Sequence, residues 1–146
     1  MISRQKDTKG FTIIELLIVI VVIGILAAIG FVAYGNVTKS ARDSDRQADS
    51  SAIAKKAEEY YASNGIYPSF AQLGAMEGID SKTTTSPSGN TWQDGGTTIS
   101  SCTNVPNTKA NDHYCYAVLA DGSQMSVGYW DEQSGNTAVY ITGVNN

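Results

Sequence analysis

Few residues in this 146-residue chain are placed to do chemistry, and the most conspicuous is a carboxylate, Glu15. It lies in Lys9-Gly10-Phe11-Thr12-Ile13-Ile14-Glu15-Leu16-Leu17, at the head of an almost unbroken apolar run that reaches Tyr34. An ionised acid at the centre of a membrane helix costs about 2.5–3.5 kcal/mol on insertion scales, so a carboxylate in such a setting is a functional residue until shown otherwise. A Glu in the first turn of a helix also favours the helix dipole, which is the purely local account of the same residue.

The other candidates are sparse. Cys102 and Cys115 match neither a Cys-x-x-Cys redox pair nor a zinc knuckle, which leaves a disulfide or two unpaired thiols. A disulfide there would close a 14-residue loop and add about 3 kcal/mol on the chain-entropy estimate. His113 is the sole histidine, so no two-histidine metal site can be drawn, and nothing resembles a nucleophile elbow, a phosphate loop or a dinucleotide fingerprint. The acids Asp94, Asp112, Asp121, Asp131 and Glu132 fall in or beside loops, where they could ligate calcium or simply be solvated; no 12-residue calcium-loop pattern accompanies them. The expectation is therefore no enzyme, no cofactor and no metal. Residues after Lys56 carry nine acids against Lys82 and Lys109, too few cations for nucleic-acid binding by counterion release.

These residues must be positioned by elements, and the first is long. Leu16 to Ala33 is uncharged and mostly apolar over eighteen residues, about 27 Å at helical rise and close to the ~30 Å hydrocarbon core of a bilayer. A cleaved secretory signal usually has a shorter apolar core, of about 7–15 residues. Arg4, Lys6 and Lys9 precede the run, the charge placement of a segment whose C-terminal side crosses the membrane. That side is also where a disulfide persists. No proline interrupts the pattern beyond it, so one helix is expected from Phe11 to Ser63, closed by Asn64-Gly65 with Pro68 preventing resumption.

Along the second half of that helix the alternating charges, with Lys39–Asp43 and Lys55–Glu59 at i,i+4, read as a solvated face. Val37, Ala41, Ala48 and Ala52 form a stripe of small residues suited to neighbouring helices, whereas Ile53, Ala57 and Tyr60 suit a globular head. Phe70 to Leu73 begins a short helix or turn. Ser81 to Asp112 shows no period and reads as a long surface loop. Tyr114–Leu119, Gln124–Trp130 and Thr137–Ile141 alternate and predict an antiparallel meander around an Ala120-Asp121-Gly122-Ser123 turn. In that reading Cys115, Ala117, Leu119, Met125, Val127, Tyr129, Val139 and Ile141 face the helix, and Tyr114, Tyr116 and Tyr140 face out.

The nonapeptide Lys9 to Leu17 resembles the class III signal of type IV pilins and type II secretion pseudopilins, and Tyr60-Tyr61-Ala62-Ser63-Asn64-Gly65-Ile66-Tyr67-Pro68 is similar to the helix exit of that family. The resemblance implies an α+β pilin fold, in which a long helix packs its second half against a small antiparallel sheet. Its divisions would be a leader at 1–10, an apolar half-helix at 11–35, an amphipathic half at 36–64 and a head at 65–146. It implies cleavage between Gly10 and Phe11 by prepilin peptidase, methylation of the new Phe11 amine, and pairing of that amine with Glu15 of another subunit. It further implies a precursor in the cytoplasmic membrane, and then a helical homo-oligomeric filament made with a pilus or secretion assembly machinery. Adhesion or motility is the expected role of a pilus, with a pseudopilin of a secretion system as the alternative. Many members carry a proline near the position of Val32; this chain has none there, and Gly24, Gly30 and Gly35 are the local weak points instead.

Overall fold

A computed structural model describes residues 10–104, 112–134 and 137–143. Residues 1–9, which hold most of the expected leader, lie outside that set, as does Lys109. The element order is helix α1 (Ile13–Asn64), helix α2 (Phe70–Gly74), strand β1 (Gln93–Asp94), a 3-10 helix (Ile99–Asn104), and strands β2 (Cys115–Val118), β3 (Met125–Asp131) and β4 (Thr137–Gly143). Packing divides the chain into two units, Met1–Val37 and Thr38–Asn146.

In the first unit, α1 begins two residues later than the expected Phe11 and is helical through Gly24, Gly30 and Gly35. None of its apolar side chains is covered by its own unit: Leu17 is 53% exposed, Ile23 59% and Phe31 87%. An 18-residue window of this helix is apolar and long enough to cross a membrane.

The second unit contains the rest of α1 and a four-stranded sheet in the order β1-β2-β3-β4. The meander β2-β3-β4 is antiparallel with Tyr116 opposite Val127 and Tyr129 opposite Val139, while β1 adds a short parallel pairing of Gln93 with Cys115 and Asp94 with Tyr116. The sheet is thus mixed where a wholly antiparallel one was expected. The stretch Ser81–Asp112 is correspondingly not a bare loop, since it supplies β1, the 3-10 helix and a Thr85–Thr91 bridge.

Helix α1 ends where the sequence marks it. Gly65 takes a φ of +75°, which a residue without Cβ adopts freely, and its N–H bonds the Tyr61 carbonyl at 2.7 Å. The chain then turns back: the Tyr67 N–H donates to the Gly122 carbonyl at 2.9 Å, fixing the β2–β3 turn on the helix exit. Ser69 and Gln72 form a reciprocal capping box that starts α2 after Pro68.

The main core joins Ile53, Ala54 and Ala57 of α1 to Tyr67, Leu73, Tyr114, Tyr116, Met125, Val127 and Tyr129. The expected seam of Ile53 and Ala57 is therefore the buried one, with Tyr60 half-buried beside it. Strand β3 presents Met125, Val127 and Tyr129 to this core as expected, but β2 does the opposite of the expectation. Tyr114 and Tyr116 point inward, 1% and 0% exposed, and the Tyr116 hydroxyl donates to the Pro68 carbonyl at 2.7 Å. Cys115 and Ala117 lie on the other face in a second cluster with Cys102 and Trp130. The physical reason is cover on both sides: the 3-10 helix brings Cys102 and the Ile99 carbonyl, which accepts from Ser126 Oγ, over the face that would otherwise meet water. The side chains of Val139, Tyr140 and Ile141 in β4 lie outside the described residues.

Candidate functional site

The sequence-derived site residues fall into two groups, one in each unit. At the start of α1, Gly10 and Phe11 are exposed, with Phe11 82% accessible.

Glu15 does not project idly from the first turn. Its Oε2 accepts from the Thr12 backbone N–H at 2.7 Å and from Thr12 Oγ1 at 2.7 Å, while the Glu15 N–H donates back to Thr12 Oγ1 at 3.3 Å. This is a capping box, in which Thr12 and Glu15 satisfy each other's otherwise orphaned groups at the helix start. Among the described residues both of these bonds to the carboxylate fall on Oε2. Thr12 was not singled out from sequence, although a Thr followed three residues later by Glu before an apolar run is the recognised signal. The local account of Glu15 is thus realised within the chain.

In the second unit, Cys102 and Cys115 are joined by a disulfide with Cα atoms 5.4 Å apart, 0% and 6% exposed. No free cysteine is present among the described residues. Gly95 lies directly against the bridge: a Cβ there would stand 2.8 Å from both sulfurs and 2.9 Å from the Ala117 methyl.

The charged stretch of α1 departs furthest from expectation. Arg46 is 1% exposed rather than solvated. Its Nε and Nη2 donate to Asp112 Oδ2 at 2.9 and 2.7 Å, its Nη1 to Asp43 Oδ1 at 2.8 Å, and its guanidinium lies 4.7 Å from the Trp130 ring centroid. One turn earlier Arg42 grips Glu132 with two bonds, 2.9 Å from Nε and 2.6 Å from Nη2. Lys39 and Lys55 were the expected ion-pair partners on this helix. Instead Asp43 pairs with Arg46, and Glu59 with Lys56 at 2.8 Å.

A signal for buried Arg46 and half-buried Arg42 existed in the sequence. Arg42, Arg46, Ser50, Ile53 and Ala57 are spaced by four, four, three and four, so the seam found from its apolar members continues through cations. Arginine carries enough hydrogen-bond donors to be buried when carboxylates meet it.

The loop acids have distinct duties. Asp112 and Glu132 are ion-pair partners, while Asp121 accepts from the Ser123 N–H and Oγ, Asp131 from the Gln133 and Ser134 N–H groups, and Asp94 from the Gly96 N–H. Donation from Ser123 holds the Asp121 carboxyl below the usual carboxylate range. Burial pushes Asp49 the other way, against the Tyr114 hydroxyl that donates to it at 2.8 Å and with the neighbouring charge of Asp45 adding to the rise. Burial raises Tyr67 to about 12, with Glu58, which accepts its hydroxyl at 2.8 Å, adding to the effect.

Comparison with known proteins bears on the first group. Residues 5–31 match the model of the prokaryotic N-terminal methylation motif. A type IV major pilin of Neisseria gonorrhoeae is 43% identical over 60 residues, which is 41% of this chain and 36% of that protein. A fimbrial protein of Eikenella corrodens is 46% identical over 66 residues, 44% of this chain and 42% of its own length. The type II secretion system core protein G of Pseudomonas aeruginosa is 31% identical over 93 residues, 64% of each chain. Residues 1–64 cannot contain a match of 93 residues, so this last similarity takes in part of the head. The chain spans roughly a third of the length of the curated gonococcal pilins it matches, 36% and 28% for two of them. No solved structure matches the chain significantly.

Proposed function

We propose, on the premise that this chain belongs to the type IV pilin and type II secretion pseudopilin family, that it is a structural subunit of a type IV pilus filament. The observation that carries the reading is the conjunction, on one helix, of the methylation motif at 5–31 with an apolar surface that its own unit leaves uncovered. Such a surface needs hydrocarbon before assembly and other copies of the same helix after it.

In this reading prepilin peptidase cuts between Gly10 and Phe11 and the new Phe11 amine is methylated. The precursor sits in the cytoplasmic membrane with the head on the outer side. On assembly the Phe11 amine of one subunit meets Glu15 of its neighbour. Within the apolar surroundings a paired charge is far better than an unpaired one, so the pair selects register. Thr12 then has a second role: its capping of Oε2 orients the carboxylate and leaves Oε1 for the neighbour's amine. The finished filament supports adhesion or motility from the cell surface.

A second reading, as a pseudopilin of a type II secretion system, is favoured by one observation: the similarity to core protein G extends into the head, whereas the gonococcal matches span about 60 residues. Shearing cells and identifying the filament protein by mass spectrometry separates the two. Abundant sheared filaments of a chain beginning at N-methylated Phe11 support the pilus. Methylated protein retained in the membrane fraction, with a secretion defect on deletion, supports the pseudopilin. An unmethylated N-terminus at Met1 overturns both.

A further inference from the structure

Arg46 is fully buried, yet its surroundings are arranged independently of its main partner. Asp43, one turn earlier, orients Nη1, and is itself held by the Glu132 N–H on Oδ1 and the Gln133 N–H on Oδ2, each at 2.9 Å. The Trp130 ring covers one face of the guanidinium. That leaves Nε and Nη2 side by side, the planar fork that matches a carboxylate.

Asp112, 1% exposed, fills that fork with Oδ2. Its Oδ1 accepts from Ser86 Oγ at 3.1 Å and Asn90 Nδ2 at 3.3 Å. The donors stand 66, 26 and 22 residues away in sequence and come from α1 and the 86–90 segment. A charged group with complementary donors on both oxygens, drawn from elements that do not include its own neighbours, is in the position of a bound ligand.

We propose that Arg46, Ser86, Asn90 and Trp130 form a carboxylate-binding site in the head, whose resident ligand is the Asp112 side chain. The approach to β2 is thereby held on α1 by recognition of a carboxylate, and the site takes a free carboxylate once that side chain is removed. Formate is the matching probe, because Asp112→Ala keeps Cβ and deletes only the carboxylate group. This site is independent of the filament reading, since it lies wholly within the head unit.

The test uses the full-length chain in detergent, melted while its tryptophan fluorescence is followed. Asp112→Ala melts below wild type, and formate raises its melting temperature saturably, by about 4–8 °C. Chloride at equal ionic strength gives no such rise, and neither wild type nor Arg46→Met/Asp112→Ala responds to formate. An equal response to formate and chloride, or a formate response that survives in the double variant, overturns the proposal. If Asp112→Ala does not fold in chloride, it is refolded from denaturant into each salt. Recovery in formate alone supports the site; failure in both overturns it.

Discussion

Both units draw on α1 for apolar surface, yet only the second covers what it presents with its own residues. Ile53 and Ala57 are 0% exposed beneath the sheet, whereas Ile13 is 86% and Ile20 66% exposed in the first unit. Their charges differ in the same way. Arg46 meets carboxylates from its own head, while among the described residues Glu15 is bonded to Thr12 of its own turn. An apolar face with matched internal charges is a domain core, and a large exposed apolar face is the kind of surface that another molecule or a membrane covers.

That contrast is open to attack from both sides. The largest effect is expected from Glu15→Ala: filaments disappear from sheared fractions or lose register, while the melting of the head and membrane insertion are unchanged. Normal filament yield would erase the distinction between the two regions. Arg46→Met is the mirror experiment, because it strands the buried Asp112. Denaturant unfolding should show a loss of about 3–5 kcal/mol, with peptidase cleavage at Gly10 intact. Gly95→Ala sharpens the head side further. Its new methyl must displace the disulfide or the Ala117 methyl, for an expected loss of about 1–3 kcal/mol in the same assay.

The smallest effect is a gain. Burial raises the Asp49 pKa above its unfolded value, so this carboxyl favours the fold below the ordinary carboxylate range and ceases to do so as pH rises through the raised value. Asp49→Asn, which keeps an acceptor for the Tyr114 hydroxyl and never ionises, should therefore stabilise the head at pH 7. Solvent screening keeps the gain below about 1 kcal/mol, and it should vanish when melts are repeated at pH 3.

The features legible in the sequence are those set by local chemistry. Asn64-Gly65 ends α1, Phe70 begins α2, the disulfide joins the only two cysteines, and the Asp121-Gly122 turn links β2 to β3. What failed depended on what lies across a gap. Tyr114-Cys115-Tyr116-Ala117 is buried on both faces, so alternation cannot say which face meets the helix. The cover on the second face comes from a segment without periodicity, which is why Ser81–Asp112 looked like loop. Arg42 and Arg46 were read as solvated because their partners, Glu132 and Asp112, arrive from positions 90 and 66 residues away. Sequence spacing within one helix cannot show such partners.

The strand order has a kinetic meaning. Strands β2, β3 and β4 pair in sequence order across short connections, so the entropy of closing those two pairings is small, whereas β1 reaches β2 from Asp94 to Cys115 across a longer stretch. Contacts distant in sequence carry α1 into the head, and others hold the helix exit and the 3-10 helix to the sheet, from Tyr116 to the Pro68 carbonyl and from Ser126 to the Ile99 carbonyl. Docking the meander on α1 closes a much longer stretch of chain, and Asp112 against Arg46, 66 residues apart, is one of the contacts that does so.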